Sequence, residues 1–192
     1  METEVKNPPI VVYTESNPNP GSLKFVANIA LLPDAQSVDF PNAASAENCP
    51  IAIDLFKFSF VKRVFIAANF ITVTKEDGSE WNDLVPLLKP FIKGWLEERK
   101  PLFKEEFKKE SIENLTETEQ KIQVVLDEYI RPAVESDGGN ITFHSFKDGV
   151  VKVQLQGSCS GCPSSTLTLK AGIENLLTKL IPEVKSVVAE GI

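Results

Sequence analysis

Apolar and polar residues change their period several times along the chain, and each change marks an element. Residues 10–15 and 23–29 read as strands, separated by the turn chemistry of Asn17-Pro18-Asn19-Pro20-Gly21. Residues 32–45 carry Pro33, Pro41 and many small polar residues, and are expected to be loop. A short helix is predicted from Pro50, with Ile51, Leu55 and Phe56 facing inward. Residues 61–66 and 70–74 are two more strands around a turn at Ala68-Asn69. Ser79 is placed to cap a longer helix whose apolar face is Leu84, Leu87, Leu88, Phe91, Ile92 and Trp95. Pro86 and Pro90 lie within that pattern and are expected to kink or interrupt it.

The pattern then stops. Residues 97–120 hold eight acidic and five basic residues, no glycine and few large apolar side chains. They read as a charged linker, partly helical, with solvated side chains. Periodicity resumes at Thr116, which has the capping-box spacing to Glu119. Ile122, Val125, Leu126, Tyr129, Ile130 and Val134 form one stripe, with Pro132 costing a hydrogen bond late in the helix. Asp137-Gly138-Gly139 ends it. Residues 141–146 and 150–156 are a hairpin around Lys147-Asp148-Gly149. A last helix carries Leu169, Ile173, Leu176, Leu177, Leu180 and Ile181, Pro182 stops it, and residues 184–189 add a strand. The expected fold class is α+β: two small domains, each a short, mainly antiparallel sheet with helices packed on it. The expected division is 1–98, a charged linker at 99–115, and 116–192.

Between the last hairpin and the last helix stands Gly157-Ser158-Cys159-Ser160-Gly161-Cys162-Pro163. This is a tight turn from a strand into a helix N-terminus. Gly161 eases the bend and Pro163 suits the first helical position. Unpaired amides and the positive end of the helix dipole favour an anion there, so the turn is expected to lower the thiol pKa values and activate both sulfurs. A C-x-x-C pair by itself reads three ways: metal or cluster ligand, dithiol–disulfide redox pair, or small semi-buried residues.

Composition narrows the choice. Hydrophobic residues are 42% and charged residues 24% of the 192, ordinary for a globular protein, and no apolar run approaches the length of a membrane span. A net charge of −7 argues against a general nucleic-acid binder. Three cysteines are too few for a disulfide scaffold, and the opening Met1-Glu2-Thr3-Glu4-Val5-Lys6 lacks the pattern of a secretory signal, so the expected compartment is the reducing cytoplasm. No hydrolase triad, P-loop or dinucleotide fingerprint is present in the sequence, and no enzyme activity is expected. Zinc and ordinary iron–sulfur clusters want four protein ligands. Cys159 and Cys162 supply two. Cys49 stands 110 residues before Cys159 and reads as a structural thiol, or as a modestly reactive one at a helix start. His144, the single histidine, reads as a surface residue of a neighbouring strand. Two copies meeting on a two-fold axis would present four thiolates, which suits a bridging 4Fe–4S cluster that can be handed on. Four thiolates also suit zinc. A thioredoxin-like redox domain is disfavoured because it needs a βαβ unit, whereas the strands before the motif form an antiparallel hairpin.

The residues from Ile130-Arg131-Pro132 and Ser136-Asp137-Gly138-Gly139 through Cys159, Cys162-Pro163-Ser164-Ser165-Thr166-Leu167 to Ile181-Pro182-Glu183-Val184 resemble the C-terminal domain of the NifU/Nfu iron–sulfur scaffold family. Asn17-Pro18-Asn19-Pro20, Leu23-Lys24-Phe25-Val26, Val61-Lys62-Arg63-Val64-Phe65 and Phe70-Ile71-Thr72-Val73-Thr74 resemble the Nfu N-terminal domain. The resemblance implies a carrier that holds a labile 4Fe–4S cluster, with 2Fe–2S as the alternative, on Cys159 and Cys162 of two subunits. It implies a homodimer when loaded and a monomer when empty. The partners it implies are upstream cluster-assembly proteins and apo iron–sulfur proteins, with an N-terminal domain that serves partner interaction. Cys49 matches no family ligand. A dithiol oxidoreductase and a zinc-stabilised adaptor are the rival readings.

Overall fold

The structure, a computed structural model, describes residues 8–33, 36–104, 115–160 and 163–191, with backbone only at 163–166. Strands β1 (Val12–Ser16), β2 (Ser22–Ala27), β3 (Ser37–Phe40), β4 (Val61–Ala67) and β5 (Phe70–Lys75) form one antiparallel sheet in the order β1-β2-β5-β4-β3. Alternation decides its two faces. Phe25, Val64, Ile66, Ile71 and Val73 point to one side, where they pack with Ile51 and Leu55 of helix α1 (Pro50–Leu55) and Leu88 and Ile92 of helix α2 (Trp81–Glu97). The register sets Lys24 opposite Thr72, Thr72 opposite Phe65, and Phe65 opposite Asp39, so these residues share the other face.

The expected loop at 32–45 is corrected. It contains β3 and a 3-10 turn at Ala43–Ala46, capped reciprocally by Asn42 and Ser45. A four-residue edge strand is too short to show a period, which hid it. Helix α2 begins at Trp81, with Glu80 rather than Ser79 as the preceding residue, and it runs through both prolines. Pro86 and Pro90 are on its exposed face, so the carbonyls they leave unpaired can turn to water. Leu87 shares that exposed side, outside the expected apolar stripe. The start of the expected linker is tied down: Leu102 and Phe103 pack on the first core, and the Lys104 amide donates to the Asn48 carbonyl at 3.0 Å.

The second half opens with α3 (Glu117–Val125), whose capping box is formed as expected: the Glu119 amide donates to Thr116 Oγ1 and the Thr116 amide to Glu119 Oε2. The stripe is then broken by a π turn at Leu126–Ile130 before α4 (Arg131–Ser136). Pro132, second in α4, has no N–H and would clash with the carbonyl four residues back, and a widened turn relieves both. Tyr129 is consequently exposed, while Ile122, Leu126 and Val134 stay in the core. Gly138, at φ 78°, terminates α4. Strand β6 (Gly139–Lys147) pairs antiparallel with β7 (Val150–Gly157), and β7 pairs parallel with β8 (Ser186–Gly191) after helix α5 (Pro163–Leu180). Val151, Val153 and Leu155 of β7 alternate inward onto Ile173 and Leu177 of α5. β7–α5–β8 is therefore a βαβ unit, and the topological ground for disfavouring a redox domain falls.

Candidate functional site

The turn after β7 is built on glycines. Gly157 has φ 67°, and a Cβ there would meet the Gly138 carbonyl at 2.7 Å and Phe65 at 2.9 Å. Gly139 has no room either: a Cβ would lie 2.5 Å from the Gln156 carbonyl and 2.9 Å from Cys159 Sγ. The turn thus lies flat on the start of β6. The Ser158 hydroxyl donates to the Asp137 carbonyl, and the Ser158 amide to the Gly138 carbonyl at 3.3 Å. Cys159 is 6% exposed, with its side chain in the second core beside Ile141 and Leu155. Cys162 lies outside the described residues, as does Gly161. Helix α5 starts at Pro163, so its positive N-terminal end follows the turn directly.

The other side of the turn is held by the N-terminal half. Arg63 forms a bidentate ion pair with Asp39, Nε to Oδ1 at 2.7 Å and Nη2 to Oδ2 at 2.6 Å. Its remaining nitrogen, Nη1, donates to Ser160 Oγ at 2.8 Å. Asp39 Oδ2 also accepts from the Gly157 amide at 3.1 Å. Asn19 Nδ2 donates to the Ser158 carbonyl at 2.9 Å, and Thr72 Oγ1 to the Gly138 carbonyl at 2.8 Å. At the margin, Asn140 Nδ2 donates to Ser37 Oγ, which donates to Gln156 Oε1. Asp39 is 3% exposed and Arg63 12%, so the pair is desolvated and fully engaged. Asn19, Arg63 and Thr72 stand in the segments that resemble the Nfu N-terminal domain, but the sequence pattern assigns none of the first half's residues a place at the turn. The available signal was polar residues at alternate positions of apolar strands (Ser37, Asp39, Arg63, Thr72), which ordinarily marks a solvated sheet face.

The remaining candidates are set apart from the turn. Cys49 is completely buried at the start of α1, in the first core. Burial pushes its thiol up to about 11, against the amides of Ala52 and Ile51, which pull the other way. This is the structural thiol, and the reactive alternative is set aside. His144 is exposed, at the irregularity in the β6–β7 register between Phe143 and Ser145.

A cysteine turn between strand and helix on a three-stranded sheet, preceded in the chain by a five-stranded sheet with its own helices, defines a two-part α+β protein. Residues 122–188 match the family described as "NifU-like domain", and residues 12–99 match "Scaffold protein Nfu/NifU N terminal". Relatives include the protein of Drosophila sechellia named "NFU1 iron-sulfur cluster scaffold homolog, mitochondrial", 41% identical over 179 residues, covering 92% of this chain and 63% of the relative. The protein of the same name from Drosophila persimilis is 38% identical over 190 residues, covering 97% of this chain and 67% of the relative. The chain belongs to the Nfu type of the NifU family. It spans 63% of the length of the first of these relatives. Among solved structures, the solution NMR structure of a NifU-like protein from Saccharomyces cerevisiae aligns with TM-score 0.46 and 20% identity, over 55% of this chain and 94% of that one.

The relatives are named as mitochondrial, which overturns the expected cytoplasmic location. A low cysteine count reports a reducing environment. It does not distinguish one reducing compartment from another.

Proposed function

We propose that this protein is an iron–sulfur cluster scaffold and carrier, without enzymatic turnover, acting in mitochondria as its relatives' names indicate. It assembles or accepts a 4Fe–4S cluster on Cys159 and Cys162 of two chains and delivers it to apo-proteins. The observation that carries this reading is the position of Cys159: on the turn between β7 and the N-terminus of α5, within the segment that matches the NifU-like domain. Amides at a helix start stabilise sulfur charge, and each chain contributes two thiolates, so two chains complete a four-thiolate set. A cluster at such an interface is released when the chains part, which suits transfer. The test is anaerobic reconstitution of wild type, Cys159→Ala and Cys162→Ala with iron and sulfide. Wild type takes up a cluster and both variants lose it; a variant that retains the full cluster content contradicts the assignment.

A further inference from the structure

The family reading leaves the polar face of the five-stranded sheet without a task, yet this face is buried. Thr72 is 1% exposed and Phe65 is fully buried. What lies on the Arg63–Thr72 portion is the chain's own cysteine turn. Asn19 holds the Ser158 carbonyl, Asp39 the Gly157 amide, and Arg63 the Ser160 hydroxyl. Cys159 sits between these anchored positions with its sulfur turned onto β6. Ser158, Cys159 and Ser160 are all buried, Cys159 with its own half's core on one side and these contacts on the other.

Two turns cannot meet across a two-fold axis while each is covered in this way. We propose that the N-terminal half is an intramolecular cap on the cysteine turn, which keeps Cys159 inward in the empty chain and must let go before two chains can share a cluster. This rests on the reading of Cys159 as a cluster ligand. The seam is mostly hydrogen-bonded: Phe65, of the small cluster Val26, Phe65, Ala67 and Phe70, lies against Gly157, and the two main apolar cores stand on either side of it. Among the described residues, Asn17 Nδ2 is buried beside Gly138 without a hydrogen-bond partner, a cost of closure that opening removes. The ion pair Asp39–Arg63 belongs wholly to the cap, so it stays formed in the open state and offers a charged, pre-organised docking face to the returning turn.

The test uses the reduced 192-residue chain and N-ethylmaleimide, with modification mapped by peptide mass. The double variant Asp39→Ser with Arg63→Ser removes both partners together, and Thr72→Val removes one seam hydrogen bond at constant shape. Buried Cys49 reports on global unfolding. The expected result is modification of Cys159 about tenfold faster in the double variant, a smaller gain in Thr72→Val, a larger radius of gyration by X-ray scattering, and Cys49 silent throughout. A Cys159 rate equal to wild type with Cys49 silent overturns the cap. If Cys49 also reacts in the double variant, Thr72→Val decides: faster Cys159 modification supports the cap, and an unchanged rate overturns it. Cluster loading is then timed in the same proteins. Faster loading in the variants supports gating, and equal loading overturns it. Faster modification with no cluster in any protein leaves the cap standing and removes the iron–sulfur reading instead.

Discussion

Cys49 and Cys159 are both buried, each with its own half's core, and Cys159 alone stands on a turn that the other half of the chain also holds. Cys49 is packed among Ile51, Leu55 and the strands of the first sheet, with no exit short of unfolding. Its thiol pKa is raised from about 9 to about 11. The native state therefore holds this proton where the unfolded chain gives it up. The stabilisation is complete below about pH 9 and is lost as pH rises towards 11, a total of about 2 to 3 kcal/mol. Denaturant titrations at pH 8, 9.5 and 11 are expected to show this decline in wild type, and Cys49→Ala, whatever its baseline cost, is expected to lack that share of it. Gly157 is the second residue on which local geometry turns. With φ at 67° and a backbone oxygen 2.7 Å from any added Cβ, Gly157→Ala is expected to lower stability by about 2 kcal/mol or more, read by thermal melting. A melt within 0.5 kcal/mol of wild type would mean that the turn relaxes freely.

Elements were legible where a pattern ran for two or more turns or several strand residues. The alternation of Val151, Val153 and Leu155, the helical spacing of Ile173 and Leu177, and the Thr116–Glu119 box all appear as the sequence indicates. β3 was too short to declare itself. The π turn was hidden because Pro132 signals a lost hydrogen bond without saying how the backbone recovers. The prolines of α2 overstated the disruption, since an exposed helix face tolerates unpaired carbonyls. The capping box offers a clean check at this scale. Thr116→Ala is expected to cost about 1 kcal/mol at neutral pH. Glu119 has its pKa lowered, first by the Thr116 amide and then by its hydroxyl, so the box contributes fully above the ordinary glutamate range and fades as pH falls through the lowered value. The difference between Thr116→Ala and wild type in urea unfolding is expected to shrink towards pH 3. A constant difference would show that the Thr116 hydroxyl gains nothing from the Glu119 carboxylate, whose bond from the residue 116 amide survives in the variant.

At the scale of the whole molecule, the place of the turn between β7 and α5 could be read from the sequence, and the first-sheet residues that hold it could not. Cysteine spacing, glycines and a following helix announce the turn locally. Arg63 is 97 positions from Ser160, and Thr72 is 66 from Gly138. No periodicity links residues so far apart, and polar residues alternating on a strand look solvated until their partner is seen. The compartment was misjudged for a related reason: composition speaks to chemistry, while location is carried by relationship. The account rests above all on one cluster being shared between two chains through Cys159 and Cys162. The direct measurement is anaerobic reconstitution followed by iron and sulfide content, Mössbauer spectra and mass in solution on the same sample. The account predicts one 4Fe–4S cluster per two chains and a shift from monomer to dimer on loading, both absent in Cys159→Ala. A chain that stays monomeric and clusterless while its cysteine pair oxidises and reduces reversibly would contradict it.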